Sequence, residues 1–158
     1  MIVGIGLDVC EVDRIRRALE ARSAERFKAR VFTAGERAYC EARRRGRFAS
    51  YAARFAAKEA AMKALGTGWA RGVGWHDFEV VRASGDPPRL VLHGTAAEIA
   101  RKLGMARWLL ALTHTDASAI ASVVVEDGAG VSAGRGAARP RRRAAGARSG
   151  RRRPRARR

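Results

Sequence analysis

Along the first 127 residues, the spacing of hydrophobic positions switches several times between a period of two and a period near 3.6, which predicts a mixture of short strands and helices. Ile2 to Leu7 has the length and composition of a short buried strand. Asp8 followed by Glu11 has the spacing of a helix-capping pair, opening a helix with Val12, Ile15 and Leu19 on its inner face. Shorter helices are predicted over Ala24 to Arg30 and Ala34 to Arg44. Phe48 to Leu65 is the strongest helix, rich in alanine, free of glycine and proline, and ended by Gly66 and Gly68. Strands then follow over His76 to Arg82 and Arg89 to His93, separated by the turn sequence Gly85-Asp86-Pro87-Pro88. After a helix over Thr95 to Leu103, Trp108 to Thr113 and Ser118 to Glu126 form a final hairpin around Thr115-Asp116. There is no internal repeat, and the order predicts an α+β fold with a mainly antiparallel sheet packed against the long helix.

Two carboxylates stand out against this pattern. Positions 48, 52, 55, 59 and 62 share one stripe of the long helix, so Glu59 interrupts a face otherwise formed by Phe48, Ala52, Phe55 and Met62. A carboxylate among apolar side chains needs pairing, protonation or a metal to offset its lost hydration. Lys63, four residues on, offers an ordinary helical ion pair. In the first strand Gly4, Gly6 and Asp8 share one face and Val3, Ile5 and Leu7 the other. A bare glycine face invites close approach by another backbone or a ligand, and here it leads to Asp8, which taken alone suits a helix N-cap. Together the two carboxylates would form a sparse oxygen site for a hard cation such as magnesium, whose remaining ligands are commonly water and substrate phosphate. His76, His93 and His114 are scattered without ligand spacing.

The net charge of +18 first suggests a nucleic-acid partner, but its distribution changes that picture. Twelve of the 33 basic residues lie after Asp127, where no acidic residue occurs, leaving 21 basic against 15 acidic residues before it. The chain is therefore divided into a folded unit over 1–127 and an Arg-rich tail over 128–158. The tail has almost no large apolar side chains, so disorder is expected, along with salt-dependent, non-specific contact with polyanions or no selected role at all. Cys10 and Cys40 form neither a disulfide framework nor a Cys-x-x-Cys pair. The first residues lack a signal-peptide pattern and no window is long and apolar enough to span a membrane, so a cytoplasmic protein with no membrane partner is expected.

Gly4-Ile5-Gly6-Leu7-Asp8, the run from Arg54 through Phe55, Lys58, Glu59 and Lys63 to Ala64, Gly66-Thr67-Gly68, and Leu112-Thr113-His114 resemble, in order and spacing, the successive signatures of the holo-acyl-carrier-protein synthase family, the short trimeric type of 4′-phosphopantetheinyl transferase. The resemblance covers nearly all of the first 127 residues. It implies transfer of 4′-phosphopantetheine from coenzyme A to a serine of apo-acyl carrier protein, with release of adenosine 3′,5′-bisphosphate, in the service of fatty acid biosynthesis or related lipid metabolism. By the same resemblance Asp8 and Glu59 bind Mg2+ and, with Lys63, are catalytic. Glu59 takes the serine proton and Lys63 steadies the departing phosphate. Coenzyme A is expected to meet Arg45 in the basic stretch from Arg43 to Arg47, and Arg54, Lys63, Gly66, Pro88, His114 and Thr115. Arg14 meets the acidic carrier on a helix whose other arginines, Arg16 and Arg17, face outward or sideways. A homotrimer is implied in which one subunit supplies Asp8, Glu59 and Lys63 and its neighbour supplies the basic loop and His114. Ala111 departs from the family pattern, which has serine there, and the tail is not a family feature. The competing reading, a basic nucleic-acid-binding module, explains the charge but not Glu59.

Overall fold

The computed structural model describes residues 1–68 and 70–128. Apart from Gly128, the tail expected over 128–158 lies outside the described residues. Three antiparallel strands, β1 (Ile2–Glu11), β4 (Met105–His114) and β5 (Ser118–Asp127), form a sheet in the order β1-β5-β4, and β2 (Phe78–Val81) pairs with β3 (Arg89–Leu92) in a separate hairpin. The helices are α1 (Val12–Glu20), α2 (Ala24–Val31), α3 (Ala34–Glu41), α4 (Arg47–Leu65) and α5 (Gly94–Lys102). The expected α+β class and antiparallel pairing are those observed.

The core forms where α4 lies on the inner face of the large sheet. Ala119, Ala121, Val123 and Val125 of β5 are fully buried there, and the facing positions of β1 are Gly4, Gly6, Asp8 and Cys10. A Cβ on Gly6 would stand 1.9 Å from the Ala60 carbonyl oxygen, and one on Gly4 2.5 Å from that of Ala64. The glycines therefore serve close approach of a second backbone, that of α4. The helix itself ends at Gly66, whose φ of 76° is the left-handed setting of a C-cap.

The structure corrects three expectations. The first strand does not stop at Leu7 but pairs with β5 as far as Glu11, so Asp8 lies within a strand and neither at its end nor at an N-cap. Asp8 and Glu11 form no capping pair: Glu11 is the N-cap of α1 without a side-chain bond, and the Val12 amide instead donates to Ala117 O at 2.8 Å. The long helix is also not amphipathic. From Tyr51 to Leu65 every residue is buried except Glu59, which is half-buried, and Lys63, which is exposed. Its small alanines allow the sheet and the neighbouring elements to surround it, so Ala52, Phe55 and Met62 of the expected stripe are buried with half-buried Glu59 among them, and the other sides are buried too, leaving Glu59 and Lys63 as the open positions of this stretch.

A polar cluster joins α3 to the β2–β3 hairpin. Thr33 Oγ1 donates to Glu79 Oε1 at 2.7 Å, and His93 Nε2 lies 3.0 Å from Glu79 Oε2. The Thr33 hydrogen bond holds the Glu79 carboxyl below its ordinary 4.5, against the opposing effect of partial burial and with help from His93. A depressed native pKa stabilises the fold above the unfolded value, and that contribution fades as pH falls through the native one. The melting-temperature gap between the parent and Glu79→Gln is therefore expected to narrow below about pH 4.5. A gap independent of pH would count against this linkage.

Candidate active site

Strand and helix geometry bring Lys63 to Asp8. Gly4 lies against Ala64 and Gly6 against Ala60, so two residues along β1 match about one turn back along α4, and Asp8 lies roughly a turn further back still. Helical side chains lean toward the N-terminus, which carries Lys63 back to this level. Its ammonium donates to Asp8 Oδ1 at 2.9 Å and to Leu7 O at 3.0 Å. Glu59 lies one turn before Lys63 on the same strip. The Cys10 thiol, on the inner face of β1 two residues beyond Asp8, is pushed up to about 11, chiefly by burial; Arg14 opposes the shift, and Asp8, Glu11 and Glu59 add to it. Both carboxylates thus lie within electrostatic reach of the Cys10 thiol.

Asp8 already holds an ammonium group, so its surroundings favour positive charge. No group of three or more His, Cys, Asp or Glu that could hold a metal occurs among the described residues. A cation placed here would take two carboxylates and draw its remaining oxygens from water or a phosphate, which suits magnesium better than a metal needing a full protein cage.

A second cluster lies beside β4. Tyr39, Arg43, Arg54, Arg82 and His114 line a cavity of about 310 Å³. The Arg54 guanidinium lies 3.9 Å from the Tyr39 ring centroid, donates through Nη1 to Ser50 O at 3.4 Å, and has a buried Nε without a hydrogen-bond partner among the described residues. Three guanidinium groups and an imidazole around one opening have the charge and donor geometry that suit a phosphate-bearing ligand. Tyr39, Arg43 as a cavity residue, and Arg82 were not singled out from sequence, because only the fold brings α3, α4, β2 and β4 to one opening.

These clusters face apart. Arg54 and Glu59 are five residues apart, about 140° around α4 and 7.5 Å along it. Pro88 lies in a third place, a cavity of about 470 Å³ on the outer side of the sheet, together with Arg107, Trp108 and Ala111. Ala111 pairs across the strands with Ser122, which lines the same cavity. Arg45 is exposed in the 3-10 turn Arg44–Gly46 before α4. Thr115 Oγ1 accepts from Ala117 N and Ser118 N and so shapes the β4–β5 turn. Gly66 caps α4 one residue beyond Leu65. Arg14 is exposed on α1, with its guanidinium 5.4 Å from the Phe55 ring centroid.

The model of the 4′-phosphopantetheinyl transferase superfamily matches residues 4–120. The Holo-[acyl-carrier-protein] synthase of Solibacter usitatus is 53% identical over 127 residues, covering 80% of this chain and 100% of that protein. That of Anaeromyxobacter dehalogenans is 57% identical over 128 residues, covering 80% and 97%. Among solved structures, the holo-[acyl-carrier-protein] synthase of Neisseria meningitidis aligns with a TM-score of 0.71 at 29% identity, covering 80% of this chain and 100% of that one. The Bacillus anthracis synthase in complex with CoA (3′,5′-ADP) aligns with a TM-score of 0.65 at 34% identity, covering 80% and 98%. The chain therefore belongs to the 4′-phosphopantetheinyl transferase superfamily and, within it, to the holo-[acyl-carrier-protein] synthases.

Proposed function

We propose that this enzyme moves 4′-phosphopantetheine from coenzyme A to a serine hydroxyl of an apo-acyl carrier protein, and that the pairing of Asp8 with Lys63 beside Glu59 marks the reacting centre. The observation that carries this reading is the 2.9 Å Asp8–Lys63 contact at the end of a glycine face that admits only backbone. The serine oxygen attacks the phosphorus that bears the pantetheine arm, and the bond from that phosphorus to the bridging diphosphate oxygen breaks. Adenosine 3′,5′-bisphosphate leaves. Asp8 and Glu59 would hold Mg2+, which supplies charge neutralisation for the diphosphate. Glu59 accepts the serine proton, and Lys63 steadies the negative charge on the departing oxygen. Arg54 and His114 grip a phosphate of the nucleotide, with Arg43 and Arg82 beside them. Arg45 and Pro88 add the phosphate and adenine contacts that the family resemblance implies. Arg14, on the exposed side of α1, meets acidic groups of the carrier.

The outward separation of the two clusters supports an assembly in which neighbouring copies complete each site. The outer face of the large sheet is apolar and uncovered in one chain: Ile5 is 66% and Leu7 57% exposed, with Val3, Val9, Leu109 and Ile120 beside them. Such a continuous apolar surface favours burial against a second copy. We read it as the contact surface of a homotrimer working in the cytoplasm on a carrier of fatty acid biosynthesis. No helix among the described residues is long and apolar enough to cross a membrane.

Activity is assigned to residues 1–127, leaving residues 128–158 outside the catalytic unit. Incubation with apo-acyl carrier protein, coenzyme A and magnesium is expected to raise the carrier mass by one phosphopantetheine group, with the chain ended at Asp127 as active as the full chain. No mass gain from the full chain would sink the transfer reading. Activity lost only on removing the tail would favour the competing reading, in which the tail captures a polyanion and the folded part is its platform.

A further inference from the structure

Lys58 is next to Glu59 in sequence but serves another face of α4. It is fully buried, and its ammonium is held by Glu36 Oε2 at 2.8 Å, Trp75 O at 2.9 Å and Phe78 O at 2.6 Å. Glu36 is buried as well. Its Oε1 accepts from Val80 N at 2.9 Å and its Oε2 from Thr33 N at 2.9 Å, the latter bond being half of the capping box that opens α3. One side chain of α4 is thereby tied to the start of α3, the β2 edge and the segment before β2.

A buried ion pair is a weak source of stability, since apolar replacements often match it, and its best-attested use is to fix registry. Registry matters here because between Phe55 and Met62 the other buried positions of α4 are alanines, Ala56, Ala57, Ala60 and Ala61. Gly4 and Gly6 meet α4 through the Ala60 and Ala64 backbone, which sets how close the helix lies, while the alanine methyls around it supply few long side chains to interlock against rotation about the helix axis. A 20° turn would move a side-chain tip on α4 by about 2 Å. Displacement of about 1 Å at a reacting centre is enough to cost roughly 100-fold in rate.

We propose that Lys58 and Glu36 are positioning residues: their buried pair sets the rotation of α4, so that Glu59 and Lys63 face Asp8. This rests on the reading of Asp8, Glu59 and Lys63 as the reacting centre, and a measurement independent of activity separates the two. In the parent, Lys63→Ala should shift the Asp8 side-chain carboxyl carbon resonance, because the ammonium lies 2.9 Å from it. In a Lys58→Met/Glu36→Gln background that response should vanish. In the same background kcat per folded molecule should fall about 100-fold, while KM for coenzyme A stays within about threefold. If this double variant fails to fold, Glu36→Gln alone, which leaves Lys58 its two carbonyl acceptors, should show both effects at smaller size. A merely structural pair would lower the melting temperature yet leave the Asp8 response and kcat per folded molecule at parent values, and that result overturns the proposal. A parent without transfer activity would remove the assigned reaction, with the resonance experiment still deciding the positioning role.

Discussion

Glu59→Ala is expected to lower kcat for transfer to the carrier by about 100- to 10,000-fold, the range associated with losing a positioned proton acceptor. The fold should survive, because Glu59 lies on the open strip of α4 and not among its buried positions. Glu59→Gln keeps the shape and removes the charge, so it should lose nearly as much. Asp8→Ala is expected to be as damaging for a further reason: it removes the carboxylate that the Lys63 ammonium meets at 2.9 Å and one of the two carboxylates proposed to hold the cation. A chelator should reduce the parent toward the level of these variants while changing the variants little. Rates measured as carrier mass in single-turnover experiments decide the matter, and a Glu59→Ala enzyme within tenfold of the parent would remove Glu59 from the chemistry.

The sequence made this centre legible because its residues act through short-range rules. Alternation along a strand put Gly4, Gly6 and Asp8 on one face, and a four-residue step put Glu59 and Lys63 on one strip. Local rules misplaced what depends on distant pairing. The Asp8–Glu11 spacing fits a cap, but β5 supplies strand partners through Glu11, and the Ala117 carbonyl takes the Val12 amide that a cap would have served. The same competition explains α4. The expected apolar stripe is buried, but alanine on the other sides let neighbours approach there as well, a tertiary outcome that periodicity does not encode.

Lys58 marks the sharper boundary. It belongs to the motif that identified the family, but no role followed from its spacing, because its partner Glu36 is 22 residues away and its other acceptors are backbone carbonyls. Of the arginines around His114, Arg54 was expected to meet coenzyme A by the family resemblance, while Arg43 and Arg82 were visible only as charge. Arg54 reaches that cavity from α4, Arg82 from the end of β2, and Arg43 from the stretch before the helix. Arg45, expected from the basic stretch to meet the nucleotide, is exposed and does not line that cavity.

Gly6→Ala should have the largest effect on stability of any single methyl group added to the protein. The new Cβ would meet the Ala60 carbonyl oxygen at 1.9 Å, the Ala60 carbonyl carbon at 2.8 Å and the Ala64 nitrogen at 2.9 Å. All three are backbone atoms of a buried helix, so no rotamer change relieves the clash, and β1 and α4 must separate. Overpacking that side chains can absorb costs about 1–3 kcal/mol, and a contact confined to backbone should reach or exceed the top of that range. Gly4→Ala, at 2.5 Å from the Ala64 oxygen and near the irregular start of the strand, should cost less. Gly46→Ala, with nothing within 4 Å, should stay within about 0.5 kcal/mol of the parent. Urea unfolding of the three variants should therefore rank them Gly6, Gly4, Gly46 in loss of stability, and any other order would contradict the packing described. Because separation of β1 from α4 also draws Asp8 away from Lys63 and Glu59, Gly6→Ala should lose transfer activity even at temperatures where it remains folded. The close approach that stabilises the protein is thus also the contact that brings together the residues proposed as its reacting centre.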